Sequence, residues 1–176
     1  MPSNGLATAA RLQDRIVAGN LIKILARRKE MFAAAESCTA GLAADFIASV
    51  SGASKVFWGS FVTYTVDAKI RMLGVPETLL KEHGAVSRPV ALAMAEGALE
   101  KSGASWAFSI TGLAGPDGDG SGIPVGTVWI GIACRDSPLS LRSEAEMFLF
   151  SGNRNQVRKA AAAAALRKLL EKISQR

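Results

Sequence analysis

The stretch Met31-Phe32-Ala33-Ala34-Ala35-Glu36-Ser37-Cys38-Thr39-Ala40-Gly41 decides how this chain folds. Met31 to Ala35 is a short apolar run and reads as a buried strand. Helical character returns at Thr39, runs to Val50 and ends around Gly52. A strand that gives way to a helix within about three residues is the repeating unit of α/β folds. Ser37 falls on the turn between them, where a hydroxyl can project from the carboxyl edge of the sheet.

On the N-terminal side, residues 7–29 place Leu12, Ile16, Ile24 and Leu25 near one stripe, which predicts an amphipathic helix. On the C-terminal side, Val56 to Tyr64 is rich in aromatic and β-branched residues and reads as a strand. Asp67 to Leu73 and Pro76 to Glu82 read as short helices, with Pro76 at a first helical position. Ser87 is a candidate N-cap, Pro89 lies just inside the next helix, and that helix runs to about Lys101. Trp106 to Ile110 is another apolar strand, and residues 112–124, with five glycines and two prolines, form a loop. Thr127 to Cys134 and Ser143 to Phe150 read as adjacent strands joined around Asp136-Ser137-Pro138. A last helix covers about Asn155 to Ile173, with Leu166, Leu169, Leu170 and Ile173 at helical spacing and the run Ala160 to Ala165 inside it. The expectation is a single-domain α/β/α sandwich with a mixed sheet of about five strands. Its core spans about residues 10–173 of the 176.

Composition narrows the function classes. Apolar residues make up 49% of the chain and charged residues 20%, as in globular proteins rather than disordered ones. No stretch of about 18 uninterrupted apolar residues occurs, so no membrane partner is expected. The N-terminus lacks the basic and apolar regions of a secretory signal, and a cytoplasmic location is the default. Cys38 and Cys134 are too few for a disulfide scaffold, and His83 is the only histidine, so no metal and no cofactor are expected. The net charge of +6 is concentrated at the ends. Residues 1–30 carry six Lys/Arg against two Asp/Glu, residues 151–176 seven against one, and the middle eight against twelve. Two solvated basic helix faces account for this, and no aromatic-interleaved basic patch points to nucleic acid. Attraction of a small anionic substrate is the other reading.

The chemistry concentrates in three places. Ser37 beside a helix start has free N–H groups and a positive dipole end at hand, an arrangement suited to anionic oxygen. The bland alternative is that Ser37 or Thr39 only caps the helix. Cys38 is a rival nucleophile by position, though a small buried hydrophobe by type. A serine nucleophile needs a base, and His83, in the last turn of a helix, reads as structural. Lys69 is the best-placed lysine, following the strand that ends at Tyr64. To act, burial must bring its pKa from about 10.4 toward 7 or 8. A solvated helix lysine, with Asp67 two residues away, fits that position better on sequence alone. The third place is Ser109-Ile110-Thr111-Gly112-Leu113-Ala114-Gly115-Pro116-Asp117-Gly118, a glycine-rich loop after a strand. Such a loop can cradle phosphate or be only a long tight turn.

Taken in order, six blocks resemble the CinA C-terminal domain, the nicotinamide-nucleotide amidase family. They are Ala35-Glu36-Ser37-Cys38-Thr39, Gly59-Ser60-Phe61-Val62-Thr63-Tyr64 with Ala68-Lys69, and His83-Gly84-Ala85-Val86-Ser87. The glycine-rich block, Pro124-Val125-Gly126-Thr127-Val128-Trp129 and Ser151-Gly152-Asn153-Arg154 follow. The resemblance implies hydrolysis of nicotinamide mononucleotide to nicotinic acid mononucleotide and ammonia, hence a small-molecule nucleotide substrate and a role in pyridine-nucleotide salvage. It implies Ser37 as nucleophile, Lys69 as general base, and Tyr64 and Thr111 in the pocket. It also implies Thr39, Gly112, Gly115, Gly126 and Arg154 in substrate binding. The alternatives are a non-catalytic nucleotide-binding module and a DNA-processing factor. Two residues depart from the family's pattern: Ala40 stands where many members have glycine, and Asn153 where aspartate commonly precedes the arginine. The separate N-terminal domain of many members, resembling molybdopterin-binding proteins, is expected to be absent. The apolar terminal helices, with the resemblance, suggest a homodimer.

Overall fold

The computed structural model describes residues 3–137 and 140–176. Its elements are α1 (Ser3–Arg28), β1 (Phe32–Glu36), α2 (Leu42–Ala48), a single 3₁₀ turn at Ala53–Lys55, and β2 (Phe57–Val62). There follow α3 (Val66–Leu73), α4 (Glu77–His83), α5 (Arg88–Ser102), β3 (Trp106–Gly112), β4 (Thr127–Ser137), β5 (Ser140–Leu149) and α6 (Arg154–Ser174). The expected turn at Pro138 and the side chain of Leu12 lie outside the described residues.

The five strands form one sheet in the order β2-β1-β3-β4-β5. β1 runs parallel to both β2 and β3, whereas β4 is antiparallel to its neighbours β3 and β5, so the sheet is mixed as expected. Every residue of β1 is buried, as suits a central parallel strand covered on both faces. One core holds Phe32, Ala34, Phe108 and Ile110 against α1, α2 and α6. The other holds Ala35, Ala107 and Ala133 against α3, α4 and α5. The chain therefore leaves β1 over one face to reach β2, and returns over the other face to reach β3. The carboxyl end of a strand at such a reversal is where α/β sheets place their ligands.

Three expectations need correction. The stripe of α1 that packs inward is Ala18, Leu21, Ile22 and Leu25, at the i, i+3, i+4, i+7 spacing; Ile16 is 52% exposed. Ala161 to Leu166 are all buried in α6, because that helix packs against the sheet, α1 and α2. The apolar face of the last helix is thus spent inside the chain, and it no longer argues for a dimer. Pro76 is the N-cap of α4 rather than its first helical residue.

Candidate active site

The helix after β1 begins three residues later than its sequence suggests. Residues 37–41 form an irregular turn in which Ala40 (φ 51°) and Gly41 (φ 91°) are both left-handed. The cause is Glu36, the last residue of β1, whose carboxylate is wholly buried. Its Oε2 accepts the N–H groups of Gly41 (3.0 Å) and Ala43 (3.1 Å), and its Oε1 that of Ala44 (3.0 Å) and the hydroxyl of Ser60 (3.0 Å). The carboxylate thus satisfies the first turn of α2 and its positive dipole end. Neither Ser37 nor Thr39 caps that helix; Gly41 is the N-cap and makes no side-chain bond. Equally, the helix N-terminus is not free to receive an anion, as its position after the strand had suggested. Glycine suits a left-handed position best, so Ala40 carries a strain that glycine there would not.

This turn frees Ser37. Its N–H donates to Ile110 O (2.9 Å) and the preceding Glu36 carbonyl accepts from Thr63 N–H (2.8 Å), so the residue is tied to β3 and to the chain beyond β2. Lys69 reaches it from α3. Thr65 caps that helix by accepting from Ala68 N–H at 3.1 Å, and Lys69 and Leu73, four residues apart, form its buried face. Lys69 Nζ donates to Ser37 Oγ at 2.7 Å and to Thr63 O at 2.8 Å. The lysine is 1% exposed, and burial lowers its pKa from an ordinary 10.5 to about 8. The solvated-lysine alternative fails because Asp67 lies on the opposite face of α3 and pairs with Arg71 at 2.7 Å. Cys38, by contrast, is held as a thiol: burial pushes its pKa up to about 11. His83 sits in the last turn of α4, 3.7 Å from Glu82.

Beyond the Ser37–Lys69 pair, hydrogen bonds tie several of the expected residues to other parts of the chain. Thr111, at the end of β3, is buried and donates its hydroxyl to Ala85 O at 2.6 Å. Arg154, the first residue of α6, donates to Gly115 O at 2.5 Å and to Tyr64 Oη at 2.6 Å. It thereby joins the glycine-rich loop to the segment that leads into α3. Asn153 does the N-capping that an aspartate would do, accepting from Gln156 N–H at 3.1 Å within a capping box. Thr39 is wholly buried and its hydroxyl has no partner among the described residues; the Thr63 hydroxyl is in the same state. Gly126 has a backbone task of its own, since a Cβ there would collide with the Phe150 carbonyl. A Cβ on Gly112 would meet Val128 at 2.6 Å.

Two functional residues were not singled out from the sequence. Glu36 is one; a carboxylate closing a buried strand must find donors, and that signal was available. Arg158 is the other, one helical turn beyond Arg154. It donates to Cys38 O at 3.0 Å and to Thr39 O at 2.9 Å. Among the described residues neither Arg154 nor Arg158 is paired with a carboxylate, so Arg154 does not serve to neutralise one at the start of α6. A concavity of about 880 Å³ lies at the opposite end of the sheet, lined by Trp106, Cys134, Arg142 and Arg176 among others, away from all of these groups. Among the described residues no three His, Cys, Asp or Glu side chains are placed to hold a metal, and no helix is long and apolar enough to cross a membrane.

A hydroxyl, a buried amine of lowered pKa and the Arg154 guanidinium, which meets no carboxylate among the described residues, can together perform nucleophilic chemistry on an anionic substrate. Known proteins share the fold. The nicotinamide-nucleotide amidohydrolase PncC of Escherichia coli K12 is 46% identical over 141 residues, spanning 80% of this chain and 83% of that protein. A CinA-like protein of Akkermansia muciniphila is 49% identical over 147 residues, but this chain spans only 34% of its length. The solved structure of a competence-damaged protein (CinA) superfamily member from Escherichia coli superposes with a TM-score of 0.85 at 31% identity, covering 90% of each chain. The competence/damage inducible protein CihA of Agrobacterium tumefaciens gives 0.83 at 38% identity over 92% of this chain and 96% of that one. A family model of the CinA C-terminal domain matches residues 14–173, and with the shared sheet this places the chain in the CinA C-terminal domain family.

Proposed function

We propose that this protein is an amidohydrolase that converts nicotinamide mononucleotide to nicotinic acid mononucleotide and ammonia through an acyl-enzyme on Ser37. The observation that carries the reading is the 2.7 Å contact between Ser37 Oγ and a Lys69 amine that burial brings to a pKa of about 8. At neutral pH roughly a tenth of such an amine is unprotonated, enough to serve as a general base. Neutral Lys69 takes the hydroxyl proton as Ser37 Oγ bonds to the carboxamide carbon, and the carbonyl electron pair moves onto oxygen. The ammonium of Lys69 then returns that proton to the departing nitrogen, and ammonia leaves as the ester forms. Water repeats the sequence on the ester, releasing the carboxylic acid and restoring Ser37.

The tetrahedral oxyanion needs donors. From Ser37 to Ala44 most backbone N–H groups are engaged, three of them by Glu36. The Cys38 and Thr39 N–H groups have no hydrogen-bond acceptor among the described residues. These two are the donors the reading requires. Arg154 supplies charge for the substrate phosphate, with the backbone of the 112–118 loop, and Tyr64 and Thr111 complete the pocket. Assembly as a homodimer, a cytoplasmic location and a role in nucleotide salvage belong to the same reading. The test is ammonia release from nicotinamide mononucleotide by the purified protein, with Ser37→Ala and Lys69→Ala each inactive but folded. Binding without ammonia release would leave the nucleotide-binding module instead, and full turnover by Ser37→Ala would refute the acyl-enzyme.

A further inference from the structure

Arg158 is half-buried and forms no ion pair among the described residues, yet it spends its guanidinium on two successive carbonyls of the turn that holds Ser37. A third bond, to Asn155 Oδ1 at 3.3 Å, comes from its own helix. Bonds to consecutive carbonyls fix the orientation of peptide planes. The peptide joining Cys38 to Thr39 is trans, so its N–H points opposite to its C=O. With the Cys38 carbonyl drawn toward α6, the Thr39 N–H is turned away from α6. α6 packs with α1 and α2 on one side of the sheet, whereas Lys69 reaches Ser37 from α3 on the other. The Thr39 N–H, which has no acceptor among the described residues, is thus turned toward the side on which the reacting hydroxyl is held. The turn needs such an external hold, because Ala40 next to it sits at φ 51°, a conformation that costs an L-residue free energy.

We infer that Arg158 is a positioning residue for amide hydrolysis, pinning the Cys38–Thr39 peptide so that the Thr39 N–H meets the oxyanion formed on the substrate carbonyl. This rests on the amidohydrolase reading, and the experiment separates the two. Wild-type protein is assayed first with nicotinamide mononucleotide; absence of ammonia sinks the amidohydrolase reading before Arg158 is in question. Given activity, Arg158→Ala should lower kcat by about 30- to 300-fold, near the range for losing one oxyanion donor, with KM within about threefold. Arg158→Lys, which keeps a donor and the charge, should recover about tenfold of that loss. The pH dependence governed by Lys69 should not move.

The thioamide analogue of the substrate supplies the discriminating readout, because sulfur accepts hydrogen bonds poorly. For it the Arg158→Ala penalty should fall below about fivefold, the non-additivity expected when two changes weaken one interaction. Damage to the fold would slow both substrates equally. An equal penalty on amide and thioamide, an unchanged kcat, or a raised KM at constant kcat overturns the proposal; the last would make Arg158 a substrate-binding group. Should Arg158→Ala fail to fold, the same amide and thioamide comparison on Arg158→Lys decides.

Discussion

Replacing Lys69 by methionine should make the protein more stable near pH 6, and the gain should fade as the pH rises. Burial takes the Lys69 amine from 10.5 to about 8. Each tenfold change in proton affinity is about 1.4 kcal/mol, so carrying the charged amine in the fold costs on the order of 3 kcal/mol at pH 6. Methionine fills similar space without charge, but it abandons Ser37 Oγ and the Thr63 carbonyl, each bond worth about 1 kcal/mol. The net gain at pH 6 is then about 1–2 kcal/mol. The sign of the pH dependence follows from the lowered value. Between about 8 and 10.5 the unfolded wild type binds a proton that the folded form does not, so its stability rises with pH there. From pH 6 to pH 9 that amounts to about 1.4 kcal/mol, absent in the variant. Cys38 does not confuse the comparison: raising its ordinary value of 9.0 to about 11 takes about 0.4 kcal/mol from both proteins alike by pH 9, so it cancels in the difference. Urea unfolding of both proteins at pH 6, 7, 8 and 9 measures the difference. Parallel stability curves over that range would refute a buried, charge-strained Lys69.

The same amine sets the activity profile: kcat/KM should climb with pH to a plateau with an apparent pKa near 8, and a flat profile from pH 6 to 9 would exclude Lys69 as base. Cys38→Ser should keep turnover within about tenfold of wild type, whereas a loss matching Ser37→Ala would make the thiol the nucleophile. Arg154→Ala should weaken binding of the mononucleotide by about 2–3 kcal/mol, with Arg154→Lys between the two and a much smaller loss for the riboside; equal losses measured by calorimetry would show that Arg154 does not read phosphate. Glu36→Gln should lower unfolding stability by about 2–4 kcal/mol, since an amide NH₂ then faces donors that now share the carboxylate; an unmoved urea midpoint would count against it.

The order of elements was legible because strand and helix alternate with clear apolar runs, and even the adjacency of β4 and β5 followed from their short connection. The start of α2 was not. Ser-Cys-Thr-Ala reads as a cap followed by helix formers, but the buried Glu36 draws the N–H groups of residues 41, 43 and 44 onto itself and shifts the first turn onward. Lys69 was legible as a position and not as an environment. Its neighbours Asp67 and Arg71 are charged, and only the packing of α3 puts those two outside and the amine inside. Arg158 was hidden for a different reason: its partners are backbone carbonyls 119 and 120 residues away, and main-chain acceptors leave no mark in a sequence. Ile16 misled because an apolar side chain near a stripe need not lie in it.

The alanines of β1 set how freely the rest of the molecule can evolve. Ala33, Ala34 and Ala35 are fully buried, with Ala34 under the α1, α2 and α6 layer and Ala35 under α3 to α5. Side chains of one methyl let both helical layers sit close to the central strand, and close packing does not absorb extra volume without displacing something. At Ala35 the displaced layer is the one that carries Lys69, and the contact at risk is only 2.7 Å long. A larger residue there would uncouple the amine from Ser37 well before it unfolded the chain. The Ser37–Lys69 contact is therefore protected by a ceiling on side-chain size at alanines that bear no reactive group themselves.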